Sequence, residues 1–86
     1  MSDAIQCEVL TPDGSIFKGQ LDMVVAPAMD GEVGIMKGHA ALITALGKGV
    51  LKLKSSSETK KYSLEGGFME VLNNKVSVLA EKAEAL

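Results

Sequence analysis

An all-β domain, an antiparallel β-sandwich or flattened barrel of about eight to ten short strands, is what this sequence predicts. Two observations carry the prediction. Apolar and polar residues alternate with period two along most of the chain. Between the alternating runs fall glycine, proline, aspartate and asparagine, the residues that turns require.

Taken in order, Ile5, Cys7 and Val9 alternate with Gln6 and Glu8, and Leu21, Met23 and Val25 alternate with Gln20 and Asp22. Leu51 and Leu53 stand against Lys52 and Lys54. Tyr62 and Leu64 stand against Lys61, Ser63 and Glu65, and Val76 and Val78 flank Ser77. Turns are expected at Pro12-Asp13-Gly14, Asp30-Gly31, Gly47-Lys48-Gly49, the polar run from Ser55 to Thr59, and Asn73-Asn74. The last of these reads as a two-residue hairpin, because asparagine tolerates the positive φ of a type I′ turn. The closing run from Ala80 to Leu86 holds good helix formers but spans barely two turns, so residues 81–86 are expected to fray beyond a core of about residues 4–80.

The 86 residues suffice for one hydrophobic core and not for two, so a single domain spanning residues 1–86 is expected. Hydrophobic residues make up 47% of the chain and charged ones 23%, which separates it from disordered segments. A net charge of −2 with its signs dispersed provides no electrostatic footprint for nucleic acid or anionic lipid. The lone cysteine, Cys7, reads as a small buried hydrophobe in its strand and fits a reducing compartment. No apolar run approaches the roughly 20 residues that cross a bilayer as a helix, so direct membrane insertion is not expected.

Catalysis needs convergent groups of tuned acidity, and one histidine with one cysteine is a thin supply. His39, Cys7 and scattered carboxylates show no metal-ligand spacing. Gly31-x-x-Gly34 and Gly66-Gly67 lack the spacing of phosphate loops and read as turn and bulge glycines. No catalytic residue, metal or cofactor is expected. What the sequence offers instead is a series of adjacent apolar pairs: Ile16-Phe17, Val24-Val25, Leu42-Ile43, Phe68-Met69, Val71-Leu72 and Val78-Leu79. Neighbours on a strand point to opposite faces, so such pairs force apolar side chains outward and predict a docking surface. The competing reading places the pairs at strand ends, where both members tuck in.

The stretch Asp30 to Thr44, DGEVGIMKGHAALIT, resembles the G-E-x-G-I-x-x-G-H-A-x-L-[LI]-T block of ATP synthase epsilon subunits. Ile16-Phe17-x-Gly19, Gly47-x-Gly49 and Leu64-x-Gly66-Gly67-Phe68-Met69-Glu70-Val71 resemble further blocks of that family, from about Ile5 to Ala80. Two prolines usual in the family are Lys37 and Ala41 here, which alters the stiffness of the loop.

The resemblance implies an N-terminal β-sandwich that acts as a non-catalytic rotor part of a proton-translocating F-type ATP synthase. It implies packing on the gamma subunit and contact with the c-ring, hence a torque-transmitting coupler, monomeric when isolated. Ile16, Phe17, His39, Leu42 and Phe68 are then the expected gamma contacts, and Asp30, Gly31 and Glu32 the expected c-ring contacts. The two inhibitory helices that follow in the family lie outside these 86 residues, so the expectation is coupling without a helix-mediated brake on ATP hydrolysis. The expected place is peripheral, on the cytoplasmic face of a bacterial inner membrane, with the stromal side of a plastid thylakoid as the alternative. An alternative function is a biotinyl or lipoyl carrier, whose modified lysine Met36-Lys37 superficially resembles, although Gly38-His39 is a poor sequel for that motif. A small enzyme with an unrecognised site is the third reading, against which the residue inventory argues.

Overall fold

The computed structural model describes residues 4–86, and among them every regular element is a strand. The strands are β1 (Ile5–Thr11), β2 (Gly14–Leu21), β3 (Met23–Ala28), β4 (Gly31–Ile35), β5 (Leu42–Lys54), β6 (Thr59–Leu72) and β7 (Lys75–Ala85). They form one hydrogen-bonded sheet in the order β2-β1-β7-β6-β5-β3-β4. Every pairing is antiparallel except β1 with β7, which run parallel with Val9 beside Val78. That single parallel contact needs no crossover helix, because the whole intervening chain serves as the connection.

The all-β expectation holds, with seven strands in place of eight to ten. The difference lies in β5, β6 and β7, which continue where turns or fraying were expected. A straight strand of 14 residues would span roughly 43 Å at about 3.3 Å per step, yet β6 has 14 residues and the longest dimension of the molecule is 34 Å. The strand therefore bends, and the residue pattern shows where.

In β6, Leu64 faces inward, then Met69 and Val71 do, so the inward phase changes from even to odd positions across Gly66-Gly67. In β5 the change falls between Leu46 and Leu51, across Gly47-Lys48-Gly49. In β7 it falls between Ala80 and half-buried Ala83. These breaks lie side by side in the register, where Leu46 opposes Gly67 and Gly67 opposes Ala80. Three strands thus fold over along one line, and the inward side chains of both halves meet in a single core.

Glycine makes the bend. Gly66 and Gly67 have φ of 73° and 125°, outside what side-chain-bearing residues adopt readily. Gly47-Lys48-Gly49 is not a turn. It is the place where Pro27 of the neighbouring strand β3 lies close against β5, and a Cβ on Gly49 would lie 2.7 Å from the Pro27 ring. Accordingly, the β3–β5 register shifts between Val25 and Ala28.

Two further expectations change. In the run Leu21, Met23, Val25 only Leu21 is buried, and beyond the bend at Asp22 the inward residues are Val24 and Ala26. A corner between strands resets the alternation, which simple period-two reading carries straight through. Residues 81–85 are not frayed: they pair with β6, Ala83 against Leu64 and Ala85 against Tyr62, and the Leu86 amide donates to the Lys61 carbonyl at 2.9 Å. Helix propensity over so few residues yields to a partner strand that satisfies the backbone.

Candidate docking surface

The register of β6 and β7 follows from their turn. Asn73 and Asn74 have φ of 49° and 61°, the type I′ geometry expected from the sequence, and Leu72 pairs with Lys75 across it. With Val71, Val76, Met69 and Val78 turned into the core, Leu72, Phe68 and Leu79 must point the other way.

They do, and they have company. Phe68 opposes Leu79 on β7 and Ala45 on β5, and Leu79 opposes Leu10 on β1, so one row crosses four strands as Ala45, Phe68, Leu79, Leu10. The next row reads Ile43, Glu70, Ser77, Glu8. Ile43 is 71% exposed, Phe68 60%, Leu72 51% and Leu79 50%. Large apolar side chains this open, gathered on one sheet face, make it a candidate contact surface.

Of the expected gamma contacts, Ile16 and Phe68 are exposed. Phe17 and Leu42 instead pack partly against the core, since Phe17 opposes Val9 and Leu42 opposes Val71, both fully inward. The Lys60 ammonium lies 5.5 Å from the centre of the Phe17 ring. In the pair Leu42-Ile43 the outward member is therefore Ile43, and Leu79 and Leu72 are the outward members of theirs. The Asn73-Asn74 hairpin puts Leu72 and Leu79 on one face of β6 and β7, whereas Ile43 lies on β5 and its side follows from its pairing with Glu70.

His39 is exposed in the link between β4 and β5. Its amide donates to the Met36 carbonyl at 3.1 Å and its ring Nδ1 lies 2.8 Å from the Ala40 carbonyl oxygen. The neighbouring Gly38 amide donates to Asn74 Oδ1 at 2.7 Å, which ties this link to the β6–β7 turn. His39 is thus held at the end of the two strands that carry Phe68 and Leu79.

Asp30, Gly31 and Glu32 form the exposed tip and first strand residues of the β3–β4 hairpin. The adjoining Met29 amide donates to the Ala45 carbonyl at 3.1 Å, and Ala45 opposes Phe68. The acidic tip and the apolar row are therefore joined through a continuous hydrogen-bonded backbone. Beyond the bend the outer surface is ionic, where Glu65 sits between Lys48 at 3.5 Å and Lys82 at 3.8 Å. Among the described residues no cluster of metal-ligating side chains occurs. The Cys7 thiol is buried, and burial with the nearby Glu8 charge pushes its pKa up to about 12, so it is not a poised nucleophile.

A folded-over sheet with exposed apolar side chains on one outer face and an acidic hairpin tip makes the domain a candidate protein-docking module. Residues 4–86 match the family model described as the ATP synthase delta/epsilon chain β-sandwich domain. The chain belongs to that family. It is 48% identical over 84 residues to the ATP synthase epsilon chain of Carboxydothermus hydrogenoformans, covering 98% of this chain and 63% of that relative. It is 42% identical to the ATP synthase epsilon chain of Desulforamulus reducens, covering 98% of this chain and 64% of the relative. The chain thus spans under two thirds of the length of these relatives. The same fold occurs in a cryo-EM structure of Euglena gracilis mitochondrial ATP synthase containing OSCP, F1 and c-ring, with a TM-score of 0.91, 20% identity, and coverage of 99% of this chain and 55% of that one. Membership in this family favours the stalk reading and sets aside the carrier reading based on Lys37.

Proposed function

We propose that this domain is a non-catalytic component of the central stalk of an F-type ATP synthase, coupling the gamma subunit to the c-ring. The observation that carries it is the outward apolar row Ala45, Phe68, Leu79, Leu10, with Ile43 and Leu72 beside it, on a sheet stiffened by the shared bend. This face packs on gamma, and the Asp30, Gly31, Glu32 tip meets the c-ring. Ile16 and His39 extend the gamma contact at its margins, and Phe17 and Leu42 support it from beneath. The domain itself breaks no bond and needs no cofactor. It passes load between two neighbours, for which a hydrogen-bonded sheet is better suited than a loop. The place of action is peripheral, on the F1 side of the membrane, which in a bacterium is the cytoplasmic face.

The family relationship supports this reading, and capture of purified gamma subunit tests it. The wild-type chain is expected to bind gamma at moderate salt. Phe68→Asp, which places a charge in the middle of an apolar contact, is expected to lower the affinity by several kcal/mol while leaving the fold intact. Failure of the wild-type chain to bind gamma would overturn the assignment.

A further inference from the structure

An open notch of about 340 Å³ lies in the apolar face where the bend begins. Leu10, Pro12, Gly67, Phe68 and Leu79 are among the residues that line it. Its volume falls at the low end of the range for small-molecule clefts, about 300 to 1,000 Å³, and such clefts also hold several convergent polar groups. This one does not. The Thr11 hydroxyl is engaged by its own turn, donating to the Gly14 carbonyl at 3.2 Å and accepting from the Asp13 amide at 3.1 Å. The remaining polar side chain is Glu81, whose carboxylate lies over the Gly66 backbone, so close that a Cβ there would be 3.0 Å from Oε2. Its β7 neighbour Lys82 is directed to Glu65 instead.

An apolar socket with one acidic group on its rim fits a peptide segment better than a small ligand. We infer that this notch receives an apolar side chain adjacent to a lysine or arginine, presented by the subunit that docks on the Phe68 face, with the basic group meeting Glu81. The inference rests on the docking reading above and adds its chemistry. The apolar side chain fills the space lined by Leu10, Pro12, Phe68 and Leu79, and the cation sits against a carboxylate that the contact itself desolvates. Such an anchor fixes the register along the apolar row, beside which Glu70, Ser77 and Glu8 belong to the next row.

Affinity for purified gamma subunit, measured at low and moderate salt, tests it. Glu81→Lys is expected to weaken binding about tenfold or more, and Glu81→Gln less, with a flatter salt dependence. Glu84→Lys, at an exposed position beyond the bend, is expected to bind within about twofold of wild type. Circular dichroism should show all three variants folded, since both positions are exposed. Wild-type affinity and salt dependence in both Glu81 variants would overturn the inference, and loss of binding in Phe68→Asp would then leave the docking face standing. No binding by wild type would overturn both.

Discussion

Gly67 lies across the β6–β7 ladder from Ala80 with its α-carbon turned so that any side chain would run into the Leu79 carbonyl oxygen. Its φ of 125° is also closed to residues with a Cβ. Gly67→Ala should therefore destabilise the domain by about 3 kcal/mol or more, combining backbone strain of about 1 to 3 kcal/mol with the collision. Urea titration checks it. Gly66→Ala, at φ 73° and facing only a movable carboxylate, should cost less, about 1 to 2 kcal/mol.

Phe68 and Met69 are neighbours in sequence and opposites in environment, 60% against 0% exposed. Met69→Ala should cost about 2 to 5 kcal/mol of stability by emptying part of the core. Phe68→Ala should change stability by no more than about 1 kcal/mol but weaken partner binding. A thermal melt paired with a binding titration separates the two. Comparable loss of stability from both variants would contradict the assignment of faces.

The Asn74 side chain accepts from the Gly38 amide at 2.7 Å while its own backbone sits at φ 61°. Asn74→Gly keeps the backbone and removes the acceptor, so about 1 kcal/mol should be lost and the Gly38 amide should exchange faster. Asn74→Ala adds the cost of a left-handed residue, about 1 to 2 kcal/mol more. Asn73→Gly should leave Gly38 exchange unchanged.

Cys7 has a pKa raised from its usual 9.0 to about 12, chiefly by burial. The folded state therefore holds the proton that the unfolded state releases. Stability from this group is complete below about pH 9 and falls as pH rises from 9 toward 12, with a limiting slope of about 1.4 kcal/mol per pH unit. Denaturation midpoints across this range should decline less steeply in Cys7→Ala. Thiol reagents at neutral pH should react with wild type only as fast as it opens.

Much of this was legible from residue order. The alternation of Ile5, Cys7 and Val9 and of Val76 and Val78 gave correct buried faces, because a strand offers only two sides. The Asn73-Asn74 turn fixed the pairing of Phe68 with Leu79. Phe17 and Leu42 were harder, since each is apolar and beside an apolar neighbour, and only the cross-strand partners Val9 and Val71 show which side they take.

By itself the sequence determined an all-β chain, its principal turns and the excess of apolar side chains over what one small core can hide. Those depend on local backbone preference and on a period of two, both written residue by residue. Only the tertiary structure decided that Gly47, Gly49, Gly66 and Gly67 act together along one fold line, and that Ala80 to Ala85 complete a strand. It also decided that Leu10, from the far end of the chain, joins Phe68 and Leu79 in one surface. These are contacts between distant segments, where the packing of one strand reverses the inward and outward phase of the next, and no local pattern records them.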